Sequence, residues 1–177
     1  KTAFAVVKDL GAKEILKASI NGEINTITYD EAVSTHNDAE VIINTTPVGM
    51  YPKNDGCIID ITKFNKLTGL IDVVYNPLRT NLVLNAKTLN IPSEGGLYML
   101  VGQAVYACGL FLNKEIDLSI IDTIYDKLRS DKENIILIGM PSSGKTTIGK
   151  ILSEKLNKTL VDTDELIVNK IDKRIAE

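Results

Sequence analysis

One stretch of sequence predicts the fold of the C-terminal part of the chain. It reads Ile135-Ile136-Leu137-Ile138-Gly139-Met140-Pro141-Ser142-Ser143-Gly144-Lys145-Thr146. From Gly139 onward the stretch fits the phosphate-binding pattern G-x-x-x-x-G-K-[ST] at every fixed position. The four apolar residues before the pattern predict a short strand, and apolar residues at helical spacing predict a helix over Lys145 to Leu156. Strand, glycine-rich loop and helix come in the order that phosphate binding requires. A turn that only resembles the pattern is the weaker alternative.

This loop predicts an ATP site that also holds Mg²⁺. Backbone N–H groups of the loop and of the helix N-terminus can surround phosphate oxygens. Lys145 adds a positive charge at the β- and γ-phosphates, and the Thr146 hydroxyl is placed to bind Mg²⁺. We expect ATP to contact Gly139, Ser142, Ser143, Gly144, Lys145, Thr146 and Thr147.

Two carboxylates follow the next predicted strand, Thr159 to Val161. Asp162 and Asp164 stand at positions i and i+2, so their side chains point to the same side if the strand continues. At the carboxyl end of a parallel strand they would face the phosphate site, because ligands bind at that edge of open α/β sheets. The alternative for both residues is an acidic N-cap of the following helix.

The loop and the two carboxylates together resemble the shikimate kinase family, with its nucleoside-monophosphate-kinase-like P-loop sheet, over Asn134 to Glu177. The resemblance implies that Asp164 binds the shikimate hydroxyls and that Asp162 supports Mg²⁺ through water. It makes Lys145 and Asp164 the catalytic residues of phosphoryl transfer from ATP. A different small-metabolite P-loop kinase and a non-catalytic nucleotide-binding fragment are the two other interpretations. Further substrate- and ATP-binding segments of the family do not occur here, so we do not expect turnover by these residues alone.

Upstream of residue 131 the sequence alternates between predicted strands and helices, which predicts an α/β fold with a mainly parallel sheet. An opening helical pattern ends at Gly11. The predicted strands are Glu23 to Tyr29, Val41 to Ile43, Cys57 to Ile59 and Leu70 to Val74; helices are predicted from Asp30, over Asn81 to Leu89 with Thr80 as N-cap, and over Leu118 to Leu128. We place a domain boundary near residue 131, which divides the chain into residues 1–130 and 131–177.

The stretch from Leu97 to Leu112 is apolar almost all round, which predicts a helix buried on several sides. Gln103 is its single large polar side chain. A buried amide needs hydrogen-bonding partners, so we expect Gln103 to have one.

Three local signatures occur in a fixed order in the first 130 residues. They read NTTPVGM at 44–50, DVVYNPLRT at 72–80 and GGLYMLVGQ at 95–103. Their order and spacing resemble the shikimate dehydrogenases, whose nucleotide domain is a Rossmann-like parallel sheet. The resemblance covers the later part of that domain, and it implies NADPH-dependent reduction of 3-dehydroshikimate to shikimate.

The same resemblance assigns four residues to the dehydrogenase site. Tyr75 stands at the exit of an apolar strand and is implied to bind shikimate, with a half-buried core tyrosine as the alternative. Gln103 is implied to bind ring hydroxyls of the same substrate, with a structural glutamine as the alternative. Val73 and Gly96 fall where the family lines the nicotinamide, and a glycine lets the backbone approach a ligand closely.

Other parts of the dehydrogenase pattern are not found in this sequence. The glycine-rich dinucleotide loop is expected just upstream of the first helix, and residues 13–18 do not show the segment that receives the ribose phosphate of NADP. The lysine and aspartate used for proton transfer belong to a substrate domain. We therefore expect further sequence before Lys1 and no dehydrogenase turnover by these residues alone.

The composition favours a cytoplasmic protein with small-molecule partners. The 177 residues are 44% hydrophobic and 24% charged, with a net charge of −3, which gives no electrostatic footprint for nucleic acid or a membrane surface. No stretch reaches the roughly 18 consecutive apolar residues of a membrane span. We expect Cys57 and Cys108 to be buried thiols and His36 to be a solvated surface side chain. The sequence does not predict an oligomeric state.

Overall fold

The structure, a computed structural model, describes residues 1–20 and 24–171. The chain divides into two units, Lys1–Lys132 and Glu133–Glu177. Each unit is described by itself.

A three-stranded parallel sheet organises the first unit. Strand β1 spans Val41–Asn44, β2 spans Gly69–Asp72 and β3 spans Ser93–Glu94, in the spatial order β1-β2-β3. The register pairs Asn44 with Asp72, so the polar last residues of β1 and β2 lie side by side at the carboxyl edge of the sheet. The prediction of an α/β fold with a parallel sheet is confirmed.

Five helices accompany the sheet in the described part of this unit. They are α1 (Thr2–Asp9), α2 (Tyr29–Thr35), α3 (Asn81–Thr88), α4 (Leu97–Leu112) and α5 (Ile120–Lys132), with a short 3₁₀ helix at Ile61–Lys63. The predicted cap of α3 is present, because the Thr80 hydroxyl oxygen accepts a hydrogen bond from the Val83 amide at 3.4 Å. Over the described ranges, no helix combines the length and the apolar character needed to cross a membrane.

Apolar side chains form two clusters in this unit. One cluster packs α3 and the 3₁₀ helix against β2, through Ile61, Leu70, Leu82, Val83 and Ala86. The other packs α5 against α4, through Leu97, Val101, Val105 and Ile121. The first cluster supports the sheet, and the second holds α5 on one side of α4.

Two of the predicted strands are absent from the described residues. The candidate strand Glu23 to Tyr29 begins at a residue outside the described ranges, and beyond it the chain forms one isolated bridge between Ala18 and Ile27. Tyr29 already begins α2, because the Thr28 side chain caps that helix. The candidate strand Cys57 to Ile59 forms a loop instead. Its Ile58 and Ile59 pack against the first core cluster, so these apolar residues are used for packing and not for strand pairing.

Helix α4 has the predicted bounds, but it is buried along one stripe only. Leu97, Val101 and Val105 are buried, whereas Leu110 and Phe111 are 84% and 90% exposed. Cys57 and Cys108 are exposed, so the expectation of buried thiols is wrong. Cys108 is exposed because it follows Val105, the last buried residue of α4, so the packing that covers this face of the helix ends before it.

The second unit contains helices α6 (Lys145–Leu156) and α7 (Thr163–Ile171) in its described part. The apolar segments 135–138 and 159–161, predicted as strands, have no strand ladder there. They still lie against α6: a β-carbon at the buried Gly149 would come within 2.8 Å of Leu160 Cδ1 and 3.5 Å of Leu137 Cδ1. Strand character needs a hydrogen-bonded neighbour, and the described residues of this unit provide none for either segment.

Candidate functional site

The loop before α6 is tightly curled. Ser142 and Gly144 adopt left-handed backbone conformations, with φ of 64° and 84°. The Ser143 amide donates to the Met140 carbonyl at 3.2 Å, which closes the turn between them. Gly144 is the N-cap residue of α6, and its positive φ favours glycine there. Alternating right- and left-handed residues of this kind turn backbone N–H groups toward a common centre, as in anion-binding nests.

Lys145 folds back over this loop. Its ammonium group donates to the Gly139 carbonyl at 2.9 Å and to the Met140 carbonyl at 2.8 Å. An ammonium group has three donors, so one remains for a ligand. Helix α6 has no side-chain cap, and its first backbone bond runs from Ile148 to Gly144. The amides of residues 145–147 therefore have no acceptor among the described residues, and an anion at this exposed position would supply one.

Asp162 is the N-cap of α7. Its Oδ1 accepts from the Asp164 amide at 3.0 Å, and its carbonyl accepts from the Leu166 amide at 3.1 Å. Its second carboxylate oxygen makes no hydrogen bond within the described part of the chain. Asp164 lies in the first turn of α7 and is exposed. The structure thus gives Asp162 the capping role that the sequence left open, while one oxygen stays available to a cation or a water.

A buried polar network lies at the carboxyl edge of the sheet in the first unit. Asp72 is 0% exposed, and its carboxylate accepts three hydrogen bonds. Asn44 Nδ2 and the Val74 amide both donate to Oδ1 at 3.0 Å, and the Thr80 hydroxyl donates to Oδ2 at 2.6 Å. No role for Asp72 is predicted from the sequence beyond its place in the second signature. The available signal was a polar residue at the last position of each of two neighbouring apolar strands.

Val73 and Gly96 lie directly against one another. A β-carbon at Gly96 would overlap the Val73 carbonyl oxygen, and the Gly96 amide donates to the Val74 carbonyl at 2.9 Å. The close approach made by Gly96 in this structure is therefore to the chain's own backbone, at the point where β2 ends and α4 begins.

Tyr75 and Gln103 are both exposed, and Tyr75 does not line the groove into which Gln103 opens. Tyr75 is 42% exposed, and its hydroxyl makes no hydrogen bond within the described residues. Gln103 opens into a groove of about 710 Å³ between α4 and the start of α5, where its neighbours are Tyr98, Met99, Gly102, Tyr106, Leu118, Ser119, Ile121 and Asp122. The expectation of a buried amide at Gln103 is wrong, because Gln103 lies on an exposed side of α4.

Two tyrosine–carboxylate pairs join α4, α5 and the end of β3. The Tyr98 hydroxyl donates to Asp122 at 2.9 Å, and the Tyr125 hydroxyl donates to Glu94 at 3.1 Å. The two rings meet edge to face with centroids 5.3 Å apart. The hydrogen bond to Asp122 raises the pKa of Tyr98, and burial, followed by the charge of Glu94, raises the pKa of Tyr125.

Known proteins resemble the two units in different ways. Residues 141–177 match the family model described as shikimate kinase. A shikimate dehydrogenase (NADP(+)) of Clostridium perfringens strain SM101 is 33% identical over 139 residues, which is 73% of this chain and 51% of that protein. One of Methanosarcina acetivorans is 35% identical over 104 residues, which is 59% of this chain and 37% of that protein. The chain spans about half the length of the first of these relatives.

Two solved structures have folds similar to that of this chain. A chorismate mutase/shikimate 5-dehydrogenase fusion protein from Clostridium acetobutylicum superimposes with a TM-score of 0.69 at 31% identity, over 75% of this chain and 51% of that chain. Shikimate dehydrogenase 1 of Peptoclostridium difficile gives a TM-score of 0.66 at 29% identity, over 75% and 50% of the two chains. The parallel sheet of the first unit is thus Rossmann-like.

Proposed function

We propose that this chain, which resembles shikimate dehydrogenase over most of its length and shikimate kinase over residues 141–177, belongs to a bifunctional protein of shikimate metabolism. One part takes part in NADPH-dependent reduction of 3-dehydroshikimate to shikimate. The other takes part in ATP-dependent phosphorylation of shikimate to shikimate 3-phosphate. The observation that carries the proposal is the presence of both likenesses, in sequence, on one chain: the product of the first reaction is the substrate of the second.

We assign residues 1–130 to the dehydrogenase part and residues 131–177 to the kinase part. In the kinase part, the uncapped N-terminus of α6 and the curled loop before it hold the phosphates of ATP, through Gly139, Ser142, Ser143, Gly144, Lys145, Thr146 and Thr147. Lys145 offsets phosphate charge with its remaining donor. Asp164, exposed in the first turn of α7, accepts hydrogen bonds from the shikimate hydroxyls and orients the attacking one.

Mg²⁺ fits the residues beside this loop. The ion prefers oxygen ligands, and it is usually held by one or two carboxylates together with substrate phosphates and waters. Thr146 offers a hydroxyl, and Asp162 offers the carboxylate oxygen that is not used in capping α7. When bound, Mg²⁺ would neutralise charge on the transferred phosphate.

The dehydrogenase part contributes the carboxyl edge of the parallel sheet, where ligands of open α/β sheets bind. Val73 and Gly96 would line the nicotinamide of NADP(H), which supplies the hydride. Their mutual contact fits a wall made of backbone, because a side chain at Gly96 has no room. Tyr75 and Gln103, both with free polar atoms, would each donate to a hydroxyl-bearing substrate.

Calorimetric titration of the chain with ADP and Mg²⁺ tests the phosphate site. We expect Lys145→Ala to weaken ADP binding by at least about tenfold, because the ammonium group that meets the phosphates is removed. Lys150→Ala is the matched control, since Lys150 is an exposed lysine of the same helix and lies away from the loop.

Equal ADP affinity in Lys145→Ala and Lys150→Ala would remove the phosphate site from the proposal. Binding that depends on Lys145, but with no phosphoryl transfer to shikimate by the whole protein, would favour a nucleotide-binding segment instead of a kinase.

A further inference from the structure

We propose that Asp72 is a positioning residue, which fixes the two loops at the carboxyl ends of β1 and β2 and so places Val73 and Tyr75. The inference rests on the proposed function for the role of those two residues, while the fixing of the loops can be tested without it. Asp72 is wholly buried, so its carboxylate is not accessible to a ligand.

The carboxylate joins three segments that are distant in sequence. Asn44 closes β1, Val74 follows β2, and Thr80 caps α3, and all three donate to the same side chain. Thr80 donates its proton to Asp72 because its oxygen already accepts the Val83 amide. Three donors and no acceptor face Asp72, which is the arrangement that suits a carboxylate.

Asn44 carries the constraint into the loop after β1. While its Nδ2 donates to Asp72, its Oδ1 accepts from the Thr46 amide at 2.9 Å and from the Thr46 hydroxyl at 2.7 Å. The Thr46 hydroxyl oxygen in turn accepts the Val48 amide at 3.3 Å. The side chain of Asn44 is thereby fixed at both ends, and the turn that follows is held by it.

The loop after β2 is held by the same residues. The Val73 amide donates to the Asn44 carbonyl at 3.0 Å, and the Val74 amide donates to Asp72 itself. Further along, the Tyr51 amide donates to the Asn76 carbonyl at 2.9 Å, which ties the first loop to the residue after Tyr75. The Tyr51 amide is not part of the Asp72 network. Its exchange rate therefore reports whether the network also holds the parts of the two loops that it does not contact directly.

Asn44→Asp tests the arrangement most sharply. It places a second carboxyl group against Asp72, where the wild type has an amide donor. Two carboxylates this close repel unless a proton bridges them, so exchange is compared up to about pH 9, where the bridging proton is lost. The double variant Asn44→Asp/Asp72→Asn exchanges the two side-chain types, so that an amide NH₂ at position 72 again donates to a carboxylate, now at position 44. It also turns an NH₂ group toward the Val74 amide, so that one hydrogen bond stays broken.

Amide hydrogen exchange on the whole chain gives the first readout. We expect Asn44→Asp to speed exchange at Thr46, Val74 and Tyr51 by at least about tenfold. In the double variant Thr46 and Tyr51 should recover, and Val74 should stay fast. The control is Val101→Ala, which loosens the α4–α5 cluster and removes none of the hydrogen bonds of the network. Unchanged exchange at Tyr51 in Asn44→Asp, or no recovery in the double variant, overturns the proposal.

Binding of NADP⁺, followed by the NMR signals of Val73 and Tyr75, gives the second readout. We expect a several-fold loss of affinity in Asn44→Asp, recovery in the double variant, and wild-type affinity in Val101→Ala. Equal affinity in Asn44→Asp and wild type means that the network does not position the site. If the wild type itself binds no NADP⁺, the proposed cofactor edge fails, and hydrogen exchange alone decides whether Asp72 positions the loops.

Discussion

At the scale of single residues, the contact between Gly96 and Val73 predicts that alanine has opposite effects on stability at Gly96 and at Gly102. Gly96 has no room for a side chain, whereas a β-carbon at Gly102, in the middle of α4, would meet nothing within 4 Å. We expect Gly96→Ala to destabilise the first unit by about 1–3 kcal/mol, because it overpacks a contact between backbones. Gly102→Ala should stabilise it by about 0.5–1 kcal/mol through helix propensity. Urea unfolding of both variants is the measurement, and an equal midpoint for the two would contradict the contact.

Asp162 provides a second prediction at this scale, because its two carboxylate oxygens have different roles. Asparagine caps helices about as well as aspartate, so Asp162→Asn should leave the stability of α7 unchanged, while Asp162→Ala should cost about 1 kcal/mol. If the other oxygen supports Mg²⁺, Asp162→Asn should nevertheless reduce the gain in ADP affinity that Mg²⁺ gives. Circular dichroism and calorimetry with and without Mg²⁺ separate the two effects. An unchanged Mg²⁺ dependence in Asp162→Asn would leave Asp162 as a cap alone.

The helix cap at Thr80 could be predicted from the sequence, whereas the burial of Asp72 and the exposure of Gln103 could not. Thr80 could be recognised as an N-cap because the signal is local: a hydroxyl residue just before a helical pattern. The burial of Asp72 could not, because it depends on donors from Asn44 and Thr80, which reach it only after the strands have paired. Gln103 was expected to be buried from its apolar neighbours, but a helix has more than one side, and Gln103 lies on the open one.

At the scale of elements, the two tyrosine–carboxylate pairs that join α4, α5 and β3 predict a pH-dependent stability. Hydrogen bonding to Asp122 raises the pKa of Tyr98, and burial with the nearby Glu94 raises the pKa of Tyr125. A pKa raised in the folded state means that folding favours the protonated hydroxyl. The contribution is complete below the ordinary tyrosine pKa of about 10, and it is lost as pH rises through the raised values.

We therefore expect the unfolding free energy of the first unit to fall above about pH 10, and to fall less steeply in Tyr98→Phe. The phenylalanine variant loses the hydrogen bond to Asp122 and, with it, the group that titrates. Urea unfolding from about pH 8 to about pH 11 measures both slopes. Tyr51→Phe is the control, since Tyr51 is exposed in a loop away from α5. Parallel curves for wild type and Tyr98→Phe would contradict the assignment.

Predictions of elements from sequence succeeded where the apolar pattern was long. The bounds of α4 and α6 follow the apolar periodicity and the glycines before them. The short apolar runs fared differently, because a run such as Ile58-Ile59 is used for burial whether or not it pairs with another strand. Strand identity depends on a neighbour, and a sequence of four residues does not carry that information.

At the scale of the whole molecule, the proposed function requires two different sites on one chain. The curled loop before α6 belongs to the second unit, and the Asp72 edge belongs to the first. The kinase likeness covers 141–177, and the dehydrogenase likeness covers 73% of the chain in the relative from Clostridium perfringens. Each nucleotide is therefore expected to bind in one unit and not in the other.

NMR spectra of the chain titrated in turn with ADP plus Mg²⁺ and with NADP⁺ test this claim most directly. Each ligand is added up to millimolar concentration, so that weak binding is also detected. The account predicts that ADP shifts the signals of residues 139–147, that NADP⁺ shifts those of Val73 and Gly96, and that Lys145→Ala abolishes only the first set. If ADP leaves residues 139–147 unshifted, or if both nucleotides shift the same residues, the account of two sites for two reactions is wrong.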